Sequence, residues 1–77
     1  MINELDLIVL THDIPEHGLQ RDDVGTVVHV YDQHAAYEVE FVTAEGRTVA
    51  LLTLTPKDIR PMAAGEMLRV RETTLAA

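Results

Sequence analysis

The chain contains neither cysteine nor serine. The lack of cysteine excludes disulfides and every thiolate metal site. Without either residue there is no Ser-His-Asp or Cys-His arrangement. The remaining hydroxyls belong to threonine and tyrosine, and no neighbouring pattern marks one of them as an activated nucleophile. Tryptophan is also missing, and the three aromatic residues, Tyr31, Tyr37 and Phe41, are too few to stack a run of bases. The glycines at 18, 25, 46 and 65 stand alone, so no glycine-rich turn is available to cradle a phosphate.

Positive charge is scarce. Lys57 is the single lysine, and six basic residues face thirteen acidic ones for a net charge of −7. Nucleic-acid binding draws much of its free energy from Lys and Arg displacing counterions, so a nucleic-acid partner is disfavoured. Anionic membrane surfaces are disfavoured for the same reason, and neutral or basic proteins fit better as partners. Apolar runs such as residues 7–10 fall far short of the ~20 residues of a membrane helix. Residues 1–6 lack the basic and apolar regions of a secretory leader, and the expected location is the cytoplasm.

What is present is enough for one small core. Seventy-seven residues, 47% of them apolar, make a single domain. A chain of this size buries only about 60% of its unfolded surface, so it gains from reinforcement. With disulfides excluded, self-association is the simplest source.

Strand-like runs recur between turn residues, the rhythm of a small barrel or sandwich. The first covers residues 6–11. A polar connection follows, in which Pro15 and Gly18 break regular structure and Asp22 and Asp23 disfavour a strand. The second run, 24–31, has the highest β-branched density in the chain. After a turn at 32–35, residues 36–42 alternate cleanly, with Tyr37, Val39 and Phe41 on a core face and Glu38 and Glu40 on a wet one. Residues 43–46 form a hairpin connection in which Gly46 can take positive φ. Residues 47–54 form a fourth run. Thr55 and Pro56 read as the cap and first position of one helical turn, ended by residues 59–61. Residues 65–71 are the candidate for the last strand, with 73–77 a tail.

The expected fold is therefore all-β: a small five-stranded SH3-like barrel with one short helical turn before the last strand. The segment from Arg21 to Val28, with Gly25 at its centre, resembles the strand opening of KOW-type modules. Gly25 is expected where the strand coils and a side chain would clash. The longer pattern comprises Leu10-Thr11, the stretch from Asp13 to Leu19, Asp23 to Val28, Tyr37 to Phe41, and Leu52 to Leu54. It resembles a family of small bacterial proteins known only as a domain of unknown function with an SH3-like barrel. That resemblance covers residues 7–61, implies the fold, and carries no catalytic residue.

Three groups of residues qualify as candidates. His12, Asp13, Glu16 and His17 are competent metal ligands, and they also form the candidate recognition loop. The histidines are five apart with Pro15 between them, so the one-face helix of metalloprotease motifs cannot form, and a polar surface loop is the favoured reading. Glu38 and Glu40 share a strand face about 7 Å apart, but a glycosidase pair also needs a cleft, which a small filled barrel does not offer. His29 points to solvent by alternation, which favours a solvated imidazole. The fourth run is apolar on both sides: Thr48, Ala50, Leu52 and Leu54 on one, Val49, Leu51 and Thr53 on the other.

A simple hairpin would set Val49 beside Glu40 and Leu51 beside Glu38, with Val27 joining the outer apolar patch. Such a patch calls for a cover, either the segment with Met67, Leu68 and Val70 or a second copy. The leading expectation is a non-catalytic module, without cofactor or metal, acting through protein contacts as a homodimer. Val27, Val49, Leu51, Met67 and Leu68 are the candidate interface. The alternatives are a KOW-like nucleic-acid-binding module and metal binding in the loop from His12 to His17.

Overall fold

The computed structural model describes residues 2–43 and 45–63. The chain is all-β, as expected. Its strands are β1 (Leu7–Leu10), β2 (Val24–Tyr31), β3 (Ala36–Val42), β4 (Thr48–Leu54) and β5 (Ile59–Pro61). They form one antiparallel sheet in the order β4-β3-β2-β1-β5. The sheet is open: β4 and β5 lie at its two edges.

β2 is the hinge of this sheet. Its first half pairs with β1, through Thr26 with Leu7, Gly25 with Ile8 and Val24 with Val9. From Thr26 onward it pairs with β3. The sheet coils where the two ladders overlap, and this brings Ile8, Leu10, Leu19, Val27, Tyr37, Val39, Phe41, Ala50, Leu54 and Ile59 into one buried cluster. Gly25 sits at the tightest point. A Cβ built there would come within 2.6 Å of Val39 Cγ1 and 2.8 Å of Phe41 Cε1.

Three expectations are corrected. Val27 is fully buried rather than part of an outer patch. A bulge between Val27 and His29 inserts one residue into β2. Period-two alternation counted back from an outward His29 therefore puts Val27 on the wrong face. The β3–β4 register also differs: Leu51 lies opposite Glu40 and Thr53 opposite Glu38, with Thr48 opposite Val42. Thr43 and Arg47 already pair at the turn, where the Thr43 N–H donates to the Arg47 carbonyl at 2.9 Å, and a second bulge takes up Val49. Together these move β4 along by two residues.

The last described strand is Ile59–Pro61, where the sequence predicted the end of a helical turn. Three residues ending in proline carry no alternation to read, and the strand exists because Ile59 and Arg60 find Leu10 and Val9. The predicted strand at 65–71, with Met67 and Leu68, lies outside the described residues. The segment before β5 is the single turn expected there, closed by the Asp58 N–H donating to the Thr55 carbonyl at 2.9 Å. The cap runs opposite to expectation: Asp58 Oδ2 accepts from the Thr55 N–H (2.8 Å) and hydroxyl (3.0 Å). The short 3-10 turns lie earlier, at Pro15–His17 and Asp32–His34. Among the described residues, no helix is long and apolar enough to cross a membrane.

Candidate functional site

Two surfaces gather the chemically interesting side chains. The first is the outer face of β2, β3 and β4. Alternation on β3 sends Tyr37, Val39 and Phe41 inward and leaves Glu38 and Glu40 outward and half-buried. Their neighbours satisfy both carboxylates. Glu38 Oε1 accepts from the Thr53 hydroxyl at 2.6 Å and from the Tyr31 hydroxyl at 3.2 Å. Glu40 Oε2 accepts from the Thr48 hydroxyl at 2.8 Å. Partial withdrawal from water, and then the adjacent Glu38 carboxylate, raise the Tyr31 phenol above its ordinary value. The Tyr31 ring packs edge-on against His29 with centroids 4.5 Å apart, and His29 Nδ1 lies 3.6 Å from Glu4 Oε2.

Beside this polar row the same face is apolar. Val49 and Leu51 are 49% and 54% exposed, and Val28 and Val42 stand out to a lesser degree. The sequence identified the Val49 and Leu51 pair and the carboxylates, but not the threonine bonds, which depend on the shifted register.

The second surface is the β1–β2 loop. Several of its polar groups bond to one another and to the turn that follows β4. Ile14 and Leu19 exchange backbone hydrogen bonds of 2.9 and 3.1 Å across the turn at Pro15–His17, and Gly18 ends that turn at φ +68°. Leu19 is buried in the core, which pins the loop. Asp13 Oδ1 accepts from the Arg21 N–H at 2.8 Å, and Asp23 Oδ2 accepts from the Gln20 N–H at 2.8 Å.

His12 reaches across 46 residues to Asp58. Its Nε2 lies 2.8 Å from Asp58 Oδ1 and its Nδ1 lies 2.9 Å from the Asp13 carbonyl. Both partners are acceptors, and only the imidazolium carries two N–H groups, so this geometry fits the charged ring. The Asp58 bond first, then the Asp13 bond, raise His12 above its ordinary 6.5. At Asp58, partial burial pushes the carboxyl up. The bonds from the Thr55 N–H, the His12 ring and the Thr55 hydroxyl outweigh it and leave the group below its ordinary value.

The loop does not bring the candidate metal ligands together. His12 is turned to Asp58, while Glu16 and His17 are exposed on the short turn. No group of three or more candidate ligands occurs among the described residues. A metal at His12 would have to displace an acceptor from a ring nitrogen. A shallow groove of about 390 Å³ at the other end of the sheet is lined by Ile2, Leu5, Asp6, Leu7, Pro61 and Met62, and Asp6 is its only titratable side chain.

Comparison with known families agrees with the extent of this fold. The chain belongs to the family described as domain of unknown function DUF4926, whose model matches residues 4–61. No curated protein matches the chain. No solved structure matches it either.

Proposed function

We propose that this member of the family is a non-catalytic binding module that acts through protein–protein contacts and associates with a second copy of itself. The observation that carries the reading is the pair Val49 and Leu51, each about half exposed, on a strand at the edge of the sheet. Uncovered apolar side chains grouped on one face favour a macromolecular partner. The lack of serine and cysteine supports a role without nucleophilic catalysis, and the charge of −7 speaks against nucleic acid. The strand order, with its long β1–β2 connection, supports reading the sheet as an SH3-like barrel.

A Leu51→Glu variant tests the proposal. Fully burying a leucine is worth about 1.5–3 kcal/mol; Leu51 has about half of that left to gain, and an isologous dimer uses the residue twice. The dimer dissociation constant should therefore rise by roughly one to two orders of magnitude. Sedimentation should show a monomer for the variant and a dimer for the unaltered chain, with the β-rich circular dichroism spectrum retained in both. An unaltered chain that sediments as a monomer at high concentration ends the self-association reading.

A further inference from the structure

The two edges of the sheet are protected very differently. β5 is three residues long and ends in Pro61, which has no N–H to offer a further strand. β4 is seven residues long, contains no proline, glycine or charged residue, and past the bulge at Val49 pairs regularly from Ala50 to Leu54. Among the described residues it pairs with β3 alone. A long, uncharged edge with free backbone donors and acceptors is a template for another strand, and native proteins ordinarily blunt it.

We propose that β4 pairs antiparallel with β4 of a second copy about a two-fold axis at Leu51, joining two five-stranded sheets into one. This inference rests on the self-association reading and specifies its geometry. Leu51 is the middle residue of the strand. An axis there sets Leu51 against its own counterpart and Val49 against Thr53 of the partner subunit.

Charge favours a second copy as the occupant. Glu45 and Lys57 lie six positions before and after Leu51 and are both exposed. Both stand in the turns that flank β4, so antiparallel pairing about Leu51 brings the acidic Glu45 turn of each copy to the same end of the uncharged seam as the Lys57 turn of the other. This match is a property of the chain pairing with itself. The net charge of −7 opposes it little. The carboxylates behind the seam, Glu38 and Glu40, stand one strand back on β3, so their counterparts lie three strand spacings away. That distance is about 14 Å, well past the ~8 Å screening length at physiological salt.

Because the chain has no cysteine, engineered thiols report the register directly. Leu51→Cys should oxidise to a covalent dimer by itself. Val49→Cys mixed with Thr53→Cys should cross-link, while each of those alone stays at monomer mass on a denaturing gel. All three positions are exposed, and circular dichroism checks that the fold is kept. Suppose instead that Val49→Cys links to itself and the mixture does not, while sedimentation still shows a dimer. The copies then meet face to face, which overturns edge pairing and leaves self-association standing. A monomer at every concentration overturns both. A monomer whose β4 amides resist hydrogen exchange overturns the inference by assigning the edge to residues 64–77 of the same chain.

Discussion

At the scale of single residues, the least predictable contact is the one between His12 and Asp58. Nothing local links them, since each belongs to a different connection. They meet because the Thr11 N–H donates to the Asp58 carbonyl at 2.9 Å and the Thr11 hydroxyl donates to the Lys57 carbonyl at 2.6 Å. This pair ties the start of the long loop to the turn before β5, and it makes that tie depend on pH. His12 is raised, so its share of stability is full below 6.5 and is lost as pH rises through the folded-state value. Asp58 is lowered, so its share is present above its ordinary value and is lost as pH falls through the folded-state value. The clamp is complete between those two limits, in mildly acidic solution. An NMR titration of the imidazole protons should place the His12 midpoint above 6.5, and Asp58→Asn should bring it down. A midpoint indifferent to Asp58→Asn would show that the pair does not form in solution. The same contact explains why His12 and His17, adjacent in a motif-like string, do not work together.

At the scale of elements, β2 carries most of the fold's geometry. Its composition was legible as a strand because Val24, Thr26, Val27, Val28 and Val30 favour the extended backbone. Its faces were not legible, because one bulge residue reverses every assignment on one side of it. Gly25 was legible as a point of close approach, and the 2.6 Å that would separate a Cβ there from Val39 Cγ1 gives the reason. Val39 and Phe41 are fully buried and cannot step aside without opening the core. Gly25→Ala should therefore cost about 1–3 kcal/mol, the usual penalty of overpacking. For a domain of this size that is a fall in melting temperature of several degrees per kcal/mol, measurable by thermal unfolding. A melting temperature that stays level or rises would mean that β2 and β3 can separate at this point. The connection from β2 to β3 shows the opposite economy. Asp32, Gln33 and His34 all take positive φ, of +41°, +55° and +73°. None is glycine, so this loop holds a conformation that its residues do not favour.

At the scale of the whole molecule, a domain this small has little core to spare, and association adds stability by mass action. If copies pair through β4, the melting temperature must depend on protein concentration. Raising the concentration a hundredfold above the dissociation constant should add roughly 2.7 kcal/mol to the free energy of unfolding. Leu51→Glu should abolish that dependence, and a melting temperature independent of concentration in the unaltered chain would count against the dimer.

Composition and short-range pattern were sufficient for the fold class, for four of the strands, and for the apolar outer side of β4. Each of these follows from which side chains alternate and which residues tolerate extended or turning backbone, and that information is local. The tertiary structure alone decided the two bulges, the register that hands Glu38 to Thr53, the brief strand Ile59–Pro61, and the bond from His12 to Asp58. Those features arise where distant segments compete for the same backbone and side-chain partners. The winner is set by how the coiled sheet closes around Phe41 and its neighbours, and no single stretch of sequence contains that competition.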